Sequence, residues 1–155
     1  MTDSIKTGTT DSLGIRLTAQ DIADAIVWAS GGTVSGVPAN STPADVINMS
    51  LGGSGTCSAT YQNAINSAVN RGTTVVVAAG NDNVQASTFS PCNQQNVICV
   101  GATRLNGKRS SYSTPVASLG VSGLGGEWAD RHDKAVVARR LKLAEIGAAG
   151  DFSVI

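Results

Sequence analysis

The side chain in this sequence best suited to chemistry is an amide that follows a long apolar run. Asn81 comes directly after the segment 74–80, which ends in Ala78, Ala79 and Gly80. Such a run is typical of a strand buried in a parallel sheet, and ligands bind beyond the carboxyl ends of such strands. The small residues leave room for a ligand backbone, and Asn81 would present an N–H donor to a developing negative charge. Taken alone, the segment also fits a strand that stops at Gly-Asn because both residues tolerate a left-handed turn.

A second apolar segment also ends in small residues. After Ile47-Asn48-Met49, the chain continues with Ser50, Leu51, Gly52 and Gly53. Consecutive strand–helix units place the ends of their parallel strands side by side. We therefore expect two walls of one groove: a first wall formed by Ser50, Leu51, Gly52 and Gly53, and a second wall formed by Ala78, Ala79, Gly80 and Asn81.

The two walls together resemble the subtilisin-like serine proteases, or subtilases. In that family a Ser-Leu-Gly-Gly strand and an Ala-Ala-Gly-Asn strand line the primary specificity pocket. The resemblance runs from about residue 21 to residue 112 and includes the segments 43–52, 61–65 and 97–103. It implies an α/β protein with part of the three-layer subtilisin-like fold, built on a parallel sheet. It also implies Asn81 as the oxyanion-hole asparagine, the other wall residues as substrate-binding residues, and peptide-bond hydrolysis as the reaction of the parent family.

The catalytic triad of the family is not recognisable in this sequence. Subtilase chemistry requires an aspartate, a histidine and a serine in that chain order. The segment 1–20 contains no histidine, and the one histidine of the chain, His132, lies among charged residues in a segment unlike the family. We interpret His132 as a solvated surface residue. Ser111 can be aligned with the nucleophile, but an alignment that continues from the segment 101–103 needs no deletion and is preferred.

We therefore predict a chain that retains the oxyanion donor and part of the substrate cleft but is inactive alone. The alternative is a non-catalytic peptide-binding or interaction module derived from a subtilase. Complementation by separately encoded flanking segments and a gene remnant also remain open. Peptides or proteins are the substrates that the resemblance implies for the parent family.

The three cysteines allow more than one interpretation. Cys57 follows the first wall and Cys92 follows the second, so both begin from the same edge of the predicted sheet. A disulfide between Cys57 and Cys92 is our prediction, and secreted bacterial subtilases of similar sequence carry one here by resemblance. Two free thiols in a reducing cell are the alternative. We interpret Cys99, inside an apolar segment, as a small buried hydrophobe, and we see no metal constellation and predict no cofactor.

Composition narrows the partners that we expect. The 11 basic and 11 acidic residues balance, so nothing points to nucleic acid or to an anionic membrane. No apolar run approaches the roughly 20 residues of a membrane span. The first residues of the sequence lack the apolar core of a signal peptide, so secretion is implied only by the resemblance to the family.

The pattern along the chain predicts four regions. These are a non-family segment at 1–20, a partial catalytic domain at 21–115, a Gly-rich linker at 116–126 and a charged tail at 127–155 with an amphipathic helix over 133–146. Within the domain we predict helices over 19–30 and 58–71, the first capped by Thr18 and Asp21, and parallel strands over 46–51, 73–79 and 97–103. We expect the strand 46–51 to lie at an exposed edge of the sheet and to favour self-association.

Overall fold

A computed structural model of the protein describes residues 18–115 and 121–126. The amphipathic helix predicted over 133–146, and His132 before it, lie outside the described residues. The described part contains two α-helices, one 3₁₀ turn and six strands: α1 (Ala19–Ala29), β1 (Val46–Met49), β2 (Gly53–Ser54), α2 (Ala59–Asn70), β3 (Thr74–Ala78), the 3₁₀ turn (Ala86–Thr88), β4 (Phe89–Ser90), β5 (Ile98–Thr103) and β6 (Val121–Leu124).

The main sheet is parallel, as the sequence predicts. Its four strands follow the order β1-β3-β5-β6, and every neighbouring pair is parallel. In the register of β1 and β3, Met49 is opposite Val77. A separate antiparallel pair joins β2 to β4. Within the described residues β1 is therefore an edge strand.

Helix α1 begins at the predicted cap. The Thr18 hydroxyl oxygen accepts a hydrogen bond from the Asp21 backbone N–H at 3.2 Å, and the Asp21 carboxylate accepts one from the Thr18 backbone N–H at 2.7 Å. This reciprocal pair is a capping box, which satisfies backbone donors that the first turn leaves unpaired. The hydrogen bonds from the Thr18 hydroxyl and backbone also lower the pKa of Asp21.

The core lies where α1 and α2 pack against each other and α2 lies against β3. Alternate residues of β3, Val75 and Val77, are buried, and Ile65 of α2 is completely buried. Helix α1 contributes Ile22 and Ile26 to the same cluster. Because burial of apolar surface is the main driving force of folding, this cluster fixes the positions of β1 and β3, whose ends carry the two walls.

Two regions differ from the sequence-based prediction. Part of the predicted Gly-rich linker, Val121–Leu124, forms strand β6 and pairs with β5. All four of its residues are exposed. Its sequence, Val-Ser-Gly-Leu, also lacks the apolar alternation that marks a half-buried strand. The segment between the predicted strands 73–79 and 97–103 contains the 3₁₀ turn and β4, which are too short to leave a periodic signal.

The predicted Cys57–Cys92 disulfide is wrong in this structure. Cys92 is bonded to Cys99, with 5.3 Å between their Cα atoms, and Cys57 is an exposed free thiol. The turn after β4 brings Cys92 to the start of β5, where Cys99 is buried, and this Cα separation suits a disulfide. The Cys57 thiol instead donates to the Asn93 carbonyl at 2.8 Å. Cys99 is buried as predicted, but its sulfur is part of a disulfide.

Candidate functional site: the groove between the two walls

The two walls leave the sheet at the same edge. Since β1 and β3 are parallel and Met49 is opposite Val77, the residues that follow them in each strand, Ser50 and Ala78, lie next to each other. Parallel strands that end together form the edge at which ligands bind in open α/β sheets. The structure thus brings all the sequence-predicted wall residues to one place.

The first wall is held by the segment that precedes the disulfide. Gly53–Ser54 pairs with Phe89–Ser90, and the Gly55 N–H donates to the Thr88 carbonyl at 2.8 Å. The Asn93 side-chain amide donates to the Gly55 carbonyl at 2.9 Å. These contacts tie the end of the first wall to residues 88–93.

The ring of Phe89 lies between the two walls. A β-carbon on Gly52 would be 2.4 Å from the ring atom Cε1, and a β-carbon on Gly80 would be 2.4 Å from Cζ. Real β-carbons do not approach carbon atoms so closely, so only glycine fits at either position. Gly80 also has a φ of +96°, which side-chain-bearing residues rarely adopt. The sequence analysis missed Phe89, whose only signal is a lone aromatic in an otherwise polar loop.

The second wall is held by hydrogen bonds from the loop after β5. The Thr114 N–H donates to the Gly80 carbonyl at 3.0 Å, and the Asn83 N–H donates to the Tyr112 carbonyl at 3.1 Å. The Arg109 guanidinium donates to the Asn83 side-chain oxygen at 2.8 Å and to the Ser113 carbonyl. Residues 109–114 therefore fix the chain on both sides of Asn81. The sequence did not predict this supporting role.

Asn81 itself presents its side chain to solvent. It is exposed, and within residues 18–115 and 121–126 its carboxamide forms no hydrogen bond. An amide without an internal partner is free to donate to a ligand. The backbone on either side is anchored, so this exposed donor is attached to a fixed support.

Ser111 lies in a turn and is exposed. The neighbouring Ser110 N–H donates to the Ala102 carbonyl at 2.9 Å, and the Ala102 N–H donates to the Ser113 hydroxyl oxygen at 2.9 Å. These bonds hold the turn against β5. His132 lies outside the described residues.

Among the wall residues, Ser50 and Asn81 have polar side chains, and the others are apolar residues or glycines. In the part of the chain that the structure describes, no group of three or more His, Cys, Asp or Glu side chains is arranged to bind a metal ion. Among those same residues, no helix has the length and apolar character that a membrane crossing requires.

The fold is that of an α/β protein with a parallel sheet, in which two neighbouring strands end together in small residues. The sequence model of the Subtilase family matches residues 5–134. The chain therefore belongs to the subtilase family, as the resemblance indicates. The match begins inside the segment 1–20, which we expected to lie outside the family, and it ends beyond residue 112.

Individual relatives agree with this assignment. The chain is 65% identical over 105 residues to an extracellular protease of Xanthomonas campestris, covering 68% of this chain and 18% of that protein. It is 48% identical over 93 residues to an extracellular basic protease of Dichelobacter nodosus, covering 60% of this chain and 15% of that protein. A solved protease structure from Pseudoalteromonas arctica matches with a TM-score of 0.68 and 56% identity, covering 70% of this chain and 32% of that one. The chain spans less than a fifth of each of the two curated relatives.

Proposed function

We propose that this chain forms part of the substrate cleft of a subtilisin-like serine endopeptidase and carries its oxyanion donor. In this proposal the two walls bind the backbone of a peptide substrate. The Asn81 carboxamide donates a hydrogen bond to the carbonyl oxygen as negative charge develops on it during attack. Such a donor accelerates acyl transfer because it binds the transition state more strongly than the ground state.

One observation carries the proposal: the exposed, unbonded Asn81 carboxamide stands at the strand edge where two small-residue walls run side by side. Small residues at this edge suit close approach of a peptide backbone. Removal of one such donor costs about 2.7–4 kcal/mol of transition-state stabilisation in subtilisin, which belongs to this family. The same order of effect is expected for an enzyme that contains this segment.

The proposal assigns neither the nucleophile nor the general base to these 155 residues. A base must lie within roughly 2.6–3.2 Å of the nucleophile in a working site. Residues 18–115 and 121–126 contain no histidine, and Ser111 lies in the turn that follows β5. We therefore expect the chain to be inactive on its own.

A fluorophosphonate serine probe and casein test this proposal. We expect no labelling and no casein cleavage by the 155-residue chain, with an active subtilisin as the positive control. The variant Ser111→Ala should behave identically. Stoichiometric labelling at Ser111, lost in Ser111→Ala, would contradict the proposal and restore the rejected alignment.

We also propose that the parent protein is secreted. Its relatives from Xanthomonas campestris and Dichelobacter nodosus are named extracellular proteases. The Cys92–Cys99 disulfide is in keeping with an oxidising compartment, because disulfides are rare in the cytosol.

A further inference from the structure

We propose that Phe89 forms the floor of the groove and restricts the substrate residue that enters between the two walls to a small side chain such as Ala, Ser or Gly. This inference rests on the proposed function, because it names the substrate class of the same groove. It assigns to Phe89 a role in specificity in addition to its place in the core.

The tip of the Phe89 ring occupies the space between the walls. A β-carbon on Gly80 would be 2.4 Å from Cζ, 2.6 Å from Cε2 and 2.7 Å from Cε1. A β-carbon on Gly52 would meet Cε1 at 2.4 Å and Cζ at 3.0 Å. Two of these distal atoms, Cε1 and Cζ, thus lie against the glycines of both walls. A substrate carbon needs about 3.5–4.0 Å from each of these atoms, so a large side chain has no depth to enter.

The ring is also held in this position. Phe89 is 4% exposed, and its residue pairs with Ser54 across the β2–β4 ladder. Its carbonyl accepts a hydrogen bond from the Asn93 N–H at 3.0 Å, and Cys92 nearby is bonded to Cys99. The fixed backbone and the burial of the ring both oppose its displacement by a large ligand.

Peptide titrations followed by ¹⁵N–¹H NMR test the role of Phe89. The ligands are N-acetyl-Ala-Ala-Pro-Ala-amide and N-acetyl-Ala-Ala-Pro-Phe-amide. The proteins are the wild-type chain, Phe89→Ala, Phe89→Leu and the control Tyr61→Leu, which changes another buried aromatic residue, on α2. We expect the wild type and Tyr61→Leu to bind the Ala peptide at least tenfold more tightly, because a pocket that cannot accept added carbons discriminates by about 10–200-fold.

In Phe89→Ala we expect this preference to reverse in favour of the Phe peptide, and Phe89→Leu should reduce it. Phe89→Leu keeps an apolar residue in the core, so it carries the test if the alanine variant does not fold. Equal binding of both peptides by the wild type, or an unchanged ratio in the Phe89 variants, would overturn the inference.

Toluene titration of the same proteins separates this inference from the proposed function. If no peptide binds any of them, the proposed groove fails, and toluene then decides the position of the ring. Toluene that binds a Phe89 variant but not the wild type, and shifts the amides of Gly52 and Gly80, supports a ring that fills this space. Toluene that binds none of the proteins, or that leaves those amides unchanged, overturns it.

Discussion

Both walls of the groove are rich in small residues, but they are stabilised in different ways. The first wall continues into the short β2–β4 ladder and packs its Gly52 against the Phe89 ring. The second wall also contacts this ring, but it is held in addition by hydrogen bonds that Arg109 and Thr114 donate and by one that the Tyr112 carbonyl accepts. In the proposed function, the first wall contributes shape to the groove and the second wall presents the Asn81 amide. Because the additional supports of the two walls differ, each wall can be perturbed separately.

We expect the largest loss of stability from Gly52→Val. The new side chain would overlap the buried Phe89 ring, and overpacking of this kind costs about 3 kcal/mol. Urea unfolding measures the loss. The matched control is Gly123→Val in β6, where nothing lies within 4 Å of an added β-carbon. Equal stability losses in the two variants would show that Phe89 does not pack against the first wall.

Loss of the disulfide should cause the next largest loss of stability, because Cys92 lies at the end of the segment 88–93 that supports the first wall. Cys92 and Cys99 are seven residues apart, and the chain-entropy estimate for such a loop is about 2 kcal/mol. The double variant Cys92→Ala/Cys99→Ala should lose this stability, while Cys57→Ala should not. Peptide mapping that finds Cys57 in the disulfide would contradict the pairing.

Arg109→Ala tests the support of the second wall. It removes the hydrogen bonds to the Asn83 side chain and the Ser113 carbonyl, and because Arg109 is exposed we expect a loss of only about 1–2 kcal/mol. Amide hydrogen exchange should accelerate at residues 80–83 but not in the β2–β4 pair. Lys108→Ala, a neighbouring exposed residue, serves as the control. Faster exchange in both walls would mean that their supports are not separate.

Tyr61→Phe should leave both walls unchanged and give the smallest effect, a gain of about 1 kcal/mol. The Tyr61 hydroxyl is buried and has no hydrogen-bond partner in the described structure, so its removal relieves a desolvation cost. Burial also raises the pKa of Tyr61, so the folded state resists ionisation. Wild-type stability should therefore fall as the pH rises through about 10, where the unfolded tyrosine ionises, and Tyr61→Phe should fall less steeply. A destabilised Tyr61→Phe would reveal a hydrogen-bond partner for this hydroxyl.

The sequence predicted those parts of the fold that depend on local pattern. The capping box of Thr18 and Asp21 and the apolar run of β3 are both defined by neighbouring residues, and both are present in the structure. The parallel order of β1 and β3 follows from their strand–helix–strand connection. These features were enough to predict which strand ends would meet.

The features that the sequence did not predict depend on contacts between residues that are far apart along the chain. Phe89 reaches Gly52 and Gly80 only because β4 folds back against β2, and two-residue strands leave no periodic signal. Cys92 is bonded to Cys99 and not to Cys57 because of the path of the turn after β4. Arg109 supports the second wall across 26 residues of sequence, a distance that no local motif reports.

The most direct test of the groove is an NMR titration of the ¹⁵N-labelled chain with N-acetyl-Ala-Ala-Pro-Ala-amide. The Asn81 side-chain amide and the backbone amides of the first wall should shift together and saturate at one ligand per chain. Asn63, an exposed amide on α2, should not shift and serves as the internal reference. Saturable shifts that leave Asn81 and the first wall unchanged, or no shift beyond that of Asn63, would contradict the account that these two walls form a peptide-binding groove with Asn81 as its donor.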